Sequence, residues 1–155
     1  MSVEIRLARP DDRLDLIEVL RRASLAGSEP EVIETLRDNP EVMDVDAELI
    51  AANEVFVADE DGTVVGFATI IAHDGNDAEL EGIFVEPSHW RRGIATALLH
   101  QIEREAAAWG ATRLHVLAGQ MALGFYRTTG FEKVGEQKTE FGPIAFLMVK
   151  TVRGQ

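Results

Sequence analysis

The chain contains no cysteine. That excludes disulfides, cysteine nucleophiles and thiolate metal sites, and it fits a reducing cytoplasm, the expected location. The four histidines, His73, His89, His100 and His115, have no metal-ligand spacing. No metal is expected, and each histidine reads as a surface or satisfied core residue. Long apolar runs are missing too: nothing approaches the roughly 20 residues of a membrane-spanning helix. The opening MSVEIRLARPDD lacks the apolar core of a signal peptide. Neither a membrane nor export is therefore expected. Basic residues are scarce, 15 against 27 acids, for a net charge of −12. A nucleic-acid partner needs a basic face, so none is expected.

The charge deficit is uneven. Residues 1–80 hold 20 acids and 6 bases, a net −14, whereas residues 81–155 hold 7 acids and 9 bases, a net +2. The acidic half serves solubility first, and it would also steer a cationic acceptor such as an amine. With 155 residues and 46% hydrophobic content, residues 1–155 are expected to form one domain around a single core.

Patterning along the chain gives the order β α α β β β α β α β β. Val3, Ile5 and Leu7 alternate with polar residues as in a half-buried strand. Pro10 and the following aspartates open a helix that runs to Gly27. A second helical region covers residues 31–53, broken near Asn39 and Pro40. Residues 55–58 and 63–71 read as strands joined at Asp61-Gly62, a hairpin signal. A polar turn over residues 73–77 leads into a strand over 78–86. Ile94, Leu98, Ile102, Ala106 and Trp109 trace one face of a helix that Gly110 ends. A strand over 113–117, a helix over 120–129 and strands over 131–137 and 143–150 complete the order. A turn over 140–142 joins the last two.

Residues 80–99, LEGIFVEPSHWRRGIATALL, carry the first chemical signal. An apolar strand meets a basic, glycine-containing turn, and a helix follows at once. Free N–H groups of a first helical turn, with the helix dipole behind them, favour an anion such as phosphate or pyrophosphate. Gly93 allows close backbone approach, and Arg91 and Arg92 can add charge-assisted hydrogen bonds. A Walker A loop is excluded, because no Gly-Lys-Ser or Gly-Lys-Thr occurs. The turn has a single glycine and lacks G-x-G-x-x-G, so a dinucleotide fingerprint fails as well. The stretch resembles motif A, [QR]-x-x-G-x-[GA], of the GNAT superfamily of N-acetyltransferases. Gly93, Ile94 and Ala95 match G-x-[GA], and Trp90 stands where Gln or Arg is usual.

Residues 122–131, ALGFYRTTGF, resemble the superfamily's motif B, N-x-x-A-x-x-F-Y-x-x-x-G-F. Ala122, Phe125, Tyr126, Gly130 and Phe131 fall at the right spacings, and Gly119 replaces the opening Asn. Ala122, Phe125 and Tyr126 share one helix face. The resemblance covers roughly residues 55–150, and the first fifty residues match only in general pattern.

The resemblance implies the GNAT fold: a twisted, mixed α/β (α+β) sheet splayed between strands four and five, with helices on both faces. It implies acetyl-CoA as co-substrate and direct, sequential transfer to a primary amine of a small molecule or peptide. The pyrophosphate would sit on Arg91, Arg92, Gly93, Ile94, Ala95 and Thr96. The pantetheine arm would pair with the backbone of Ile83, Phe84 and Val85, where a β-bulge commonly polarises the thioester carbonyl, and Phe125 would pack against it. Tyr126 would protonate the leaving thiolate. A phenol of pKa about 10 does this for a thiol of about 8.5 only as an oriented donor.

Glu79 and Glu81 are the candidate bases. Family spacing, about fourteen positions before the motif A glycine, favours Glu79; proximity to the cofactor strand favours Glu81, to which the reading leans. A water chain without a carboxylate is the alternative. A homodimer and the acceptor's identity stay open. The rival reading is a non-catalytic acyl-CoA-binding regulatory module on the same fold.

Overall fold

The computed structural model describes residues 2–139 and 144–152. Its elements are β1 (Val3–Leu7), α1 (Arg13–Gly27), α2 (Pro30–Asp38), α3 (Ala47–Ala51), β2 (Val55–Glu60), β3 (Thr63–Ala72), β4 (Asp77–Val85), α4 (Ile94–Ala108), β5 (Arg113–Ala118), α5 (Leu123–Thr128), β6 (Glu132–Lys138) and β7 (Ile144–Thr151). The turn expected over 140–142 and the strand start at Pro143 lie outside the described residues.

The strands form one sheet in the order β1-β2-β3-β4-β5-β7-β6. Only β4 and β5 run parallel, because α4 carries the chain across one face between them. On that face Leu98, Leu99, Ile102 and Ala106 of α4 are fully buried in a core shared with Ala58, Ala68, Ile70 and Leu80 of the sheet. On the other face Leu16, Ile17, Val19 and Leu20 of α1 pack with Val55, Val57 and Phe67. Helices on both faces explain why β3 is buried without interruption from Val64 to Ile70 rather than alternating.

The break expected near Asn39 and Pro40 divides the helical region over 31–53 into two helices, and one later element differs from the sequence reading. Pro40 disfavours helix at the residue before it, so α2 stops at Asp38. α3 starts only where the Asp46 side chain accepts the Glu48 N–H at 2.8 Å. The helix over 120–129 is a single tight turn (Gln120–Ala122) followed by a six-residue α5.

Two features of β4 shape the site. Residues 77–80 pair with residues 113–116 of β5, and there the pairing ends. Residues 81–85 are left without a strand on that side, so the sheet opens between β4 and β5. The second feature is a bulge. Ile70 faces Leu80 while Thr69 faces Gly82, which makes Glu81 the extra residue. The bulge resets the strand's faces. Ala78 and Leu80 enter the α4-side core before it, and Ile83 and Val85 after it. The resemblance placed the bulge at Ile83, Phe84 and Val85; it lies ahead of them, at Glu81.

Candidate active site

The sheet opening continues into a cleft of about 700 Å³ between β4, α5, the end of β5 and the α1–α2 connection. Six of the site residues expected from sequence line it, Ile83, Phe84, Val85, Ala95, Phe125 and Tyr126, as do the motif positions Trp90, Gly119 and Ala122. Backbone direction on β4 follows from one bond. Glu86 donates its N–H to Val65 O at 2.8 Å, towards β3. Residues along an antiparallel ladder alternate in direction, so Ile83 and Val85 turn their N–H and C=O groups away from β3 and into the opening. Val85 O is already taken, by the indole Nε1–H of Trp90 at 2.8 Å. The Ile83 N–H and C=O and the Val85 N–H are the polar edge offered to an extended ligand.

Arg91, Arg92, Gly93, Ile94 and Thr96 do not line that cleft; they form the turn at its mouth. Gly93 precedes α4 with φ 79°, a left-handed conformation suited to glycine, and Arg91 has φ 66°. The first helical bond runs from Ala97 N–H to Gly93 O, 3.0 Å. The N–H groups of Ile94, Ala95 and Thr96 thus have no acceptor within the helix. Arg91 and Arg92 are exposed, and neither forms an ion pair among the described residues. Free N–H groups, a fifteen-residue helix and two uncommitted guanidinium groups make a cationic cradle.

Trp90 ties this turn to α1. Its ring lies 3.5 Å from the position a Cβ on Gly27 would occupy, and Arg22 Nη2 donates to Glu86 Oε2 at 3.0 Å. Sequence reasoning noted Trp90 only as a departure from motif A, and neither Glu86 nor the α1–α2 wall was legible from any motif. An aromatic residue among charged ones in a phosphate-type turn was the available signal.

Phe84 depends on Gly82. A Cβ at Gly82 would lie 2.7 Å from the Phe84 ring, which packs 5.3 Å from Phe67 between centroids. Gly82→Ala is expected to swing the ring off Phe67 and cost about 1 kcal/mol of stability, a loss visible as a lower Tm. An unchanged Tm would mean the ring has a second, equally good seat.

The two carboxylates differ. Glu79 Oε1 lies 2.6 Å from His73 Nε2, and Glu79 stands opposite His115 in the β4–β5 register. The His73 and His115 rings are 5.6 Å apart, and His115 Nε2 is buried without a hydrogen-bond partner. The expectation that each histidine is a satisfied or surface residue fails for His115. His89 is satisfied, between Ser88 and Glu60 at 2.9 Å each. Neither glutamate lines the cleft.

The Glu81 carboxyl is held above the usual range by burial, and then by the negative charges of Glu79, Asp46 and Glu54. A carboxyl raised on folding binds its proton more tightly in the folded chain. Its ionisation therefore costs stability as pH rises above the ordinary value of about 4.3. Glu81→Gln is accordingly expected to match or exceed the parent Tm at pH 7 and to lose its advantage near pH 4. A clear drop in Tm at pH 7 would show that Glu81 makes a structural bond instead.

Tyr126 is 5% exposed, with its ring edge-to-face against Phe125 (5.2 Å) and Phe131 (5.3 Å). Burial pushes the phenol well above its usual pKa, so its proton stays in place at neutral pH. The hydroxyl has no hydrogen-bond partner among the described residues, and the residue lines the cleft.

Splayed sheet, free strand edge and cationic helix start together define a cleft for an extended, anionic ligand. A profile of the Acetyltransferase (GNAT) family matches residues 17–131, and the chain belongs to that family. An uncharacterized N-acetyltransferase of Mycobacterium bovis is 35% identical over 91 residues, 57% of this chain and 58% of that protein. The chain thus spans less than two thirds of the length of the curated relatives it matches. Among solved structures, the PaiA N-acetyltransferase of Thermoplasma acidophilum, in complex with coenzyme A, superposes with a TM-score of 0.77 at 24% identity. That match covers 97% of this chain and 99% of that one. N-acetylglutamate synthase of Neisseria gonorrhoeae, complexed with coenzyme A and N-acetyl-glutamate, gives 0.75 at 18% identity over 99% of this chain and 36% of that one. At these identities the structural likeness speaks for the fold.

Proposed function

We propose that residues 1–155 act as one acetyl-CoA-dependent N-acetyltransferase domain, moving the acetyl group directly to a primary amine of a small molecule or peptide. The observation that carries this reading is the unpaired stretch of β4, whose backbone groups face a cleft that ends at the cationic start of α4. In it, Arg91, Arg92 and the N–H groups of residues 93–96 hold the pyrophosphate. Ile83 and Val85 hold the pantetheine arm as an added strand would be held, and Phe84, Ala95 and Phe125 close around it. A β4 N–H polarises the thioester carbonyl. The amine nitrogen attacks that carbon and the C–S bond breaks. Tyr126 gives its proton to the departing thiolate and is re-protonated by solvent. The amine proton passes through water to Glu81, with Glu79 held by His73 as the other carboxylate within reach. Proximity supplies much of the rate. We place the protein in the cytoplasm, in line with its lack of cysteine.

Direct transfer is tested by intact-protein mass after incubation with acetyl-CoA alone. The protein should keep its mass, and coenzyme A should be released in proportion to added amine. An acetylated protein that passes its group to the amine would replace this scheme with a two-step one.

Glu81→Gln should lower kcat/KM at pH 7 and remove the acidic limb of its pH profile, because a base must be unprotonated to act. Glu79→Gln should do neither. The reverse pattern reassigns the base to Glu79, and two normal profiles leave water alone as the proton acceptor.

A further inference from the structure

The acceptor end of the cleft has a chemistry of its own. We take as the acceptor end the side of the cleft away from β4 and α4, where the lining comes from α2, the end of β5, the turn after it and β7. Val32, Leu36, Leu117, Met121 and Ile144 supply apolar surface there. Leu117, Met121 and Ile144 are 38%, 66% and 47% exposed, large apolar side chains that face water unless something covers them. Ser24, Ser28, Gln120 and Thr139 supply neutral polar groups. Among the described lining residues Glu29 is the one charged side chain, and none of them is Lys, Arg or His.

Charge decides what such a wall accepts. A carboxylate brought into a mostly apolar cleft loses its water and needs a cation or a fan of donors in return. The guanidinium groups near the cleft, Arg91 and Arg92, stand at the donor's pyrophosphate turn rather than on the acceptor wall. A polyamine faces the opposite problem: Glu81 serves the reacting nitrogen, Glu29 on the wall can answer one further ammonium, and any other charge would meet apolar surface. An amine attached to an uncharged apolar body meets neither cost and covers the exposed Leu117, Met121 and Ile144.

We infer that the acceptor is an amine carried on an apolar body with no carboxylate beside it, a chemistry shared by arylalkylamines and by the N-terminus of a peptide that begins with an apolar residue. This rests on the acetyltransferase reading above and deepens it. Both sources present a reactive nitrogen whose neighbouring group is neutral, and the cleft reads that neutrality together with the apolar side chain.

The test is a panel of five amines with acetyl-CoA: phenylalanine, phenylalaninamide, 2-phenylethylamine, spermidine and a hexapeptide beginning with phenylalanine. With each rate referred to the free-amine fraction of its acceptor, phenylalaninamide should exceed phenylalanine in kcat/KM at least tenfold, and 2-phenylethylamine should exceed spermidine by a similar factor. If the hexapeptide outruns 2-phenylethylamine, the source is a peptide N-terminus; the reverse order points to a free amine. Phenylalanine equal to its amide, or spermidine as the best acceptor, overturns the inference while leaving the transferase reading intact. No turnover on any of the five or on a wider amine set overturns the transferase reading itself. A second measurement uses Val32→Arg, which sets a cation on the wall from the half-buried face of α2. It should narrow the gap between phenylalanine and its amide at least threefold. An unchanged gap in a folded variant would show that the wall does not read the carboxylate.

Discussion

Tyr126→Phe is expected to lower kcat about a hundredfold, roughly 2.7 kcal/mol of transition-state stabilisation, with acetyl-CoA affinity unchanged. The substitution keeps the ring and its edge-to-face contacts with Phe125 and Phe131, each with centroids between 5.2 and 5.3 Å apart. It removes only a hydroxyl that has no hydrogen-bond partner among the described residues, so stability should stay within about 0.5 kcal/mol of the parent. Because burial raises the phenol's pKa, the residue is a proton donor across the neutral range and adds no limb of its own to the pH profile there. Single-turnover acetyl transfer, where chemistry limits the rate, is the measurement. A loss under threefold would return Tyr126 to a packing role.

Gly93→Glu is expected to weaken acetyl-CoA binding at least tenfold, about 1.4 kcal/mol, with the fold retained. A Cβ at Gly93 meets nothing within 4 Å, so the first carbon of a side chain has room. Two costs follow. The φ of 79° strains any L-residue by about 1–2 kcal/mol. The new carboxylate also stands before the free N–H groups of α4, where the pyrophosphate charge would lie. Gly93→Ala separates them, since it carries the strain without the charge, and its affinity loss should be the smaller one. Added salt should weaken the parent's affinity more than that of Gly93→Glu, in which the new carboxylate already offsets part of the attraction from Arg91 and Arg92. Calorimetry showing unchanged affinity in folded Gly93→Glu would remove the turn from the binding site.

The order of elements along the chain was legible because local signals agree with one another, and the opening between β4 and β5 was implied by the family resemblance; the spatial strand order was not legible. Asp61-Gly62 marks a hairpin, Gly93 starts α4 and Gly110 ends it. The motif residues Phe125 and Tyr126 share a helix face and do line the cleft. Features set by tertiary contact were not legible. β3 carries a near-continuous apolar run, VVGFATII, in keeping with its burial on both faces, but which helices cover it is set only in the fold. The Glu81 bulge comes from register against β3, and nothing in the run LEGIF announces which residue is the extra one. Trp90 was readable only as a mismatch, because its partners, Val85 O and Gly27, are brought to it by the fold. His115 looked ordinary in sequence, and its Nε2 is buried with no hydrogen-bond partner among the described residues. The acceptor wall draws on α2, β5 and β7, three segments far apart in sequence with no shared motif, so its apolar character emerged only once they met.

The central claim is that this cleft moves an acetyl group from coenzyme A to an amine. Its most direct test follows free coenzyme A thiol and acetylated amine together, by thiol titration and mass spectrometry of the same reaction, with phenylalaninamide as acceptor. The account predicts one acetylated amine for each thiol released, at a rate that depends on both substrates and falls about a hundredfold in Tyr126→Phe. Tight coenzyme A binding with no acetylated amine and no thiol release, from a folded protein given a broad set of amines, would contradict it.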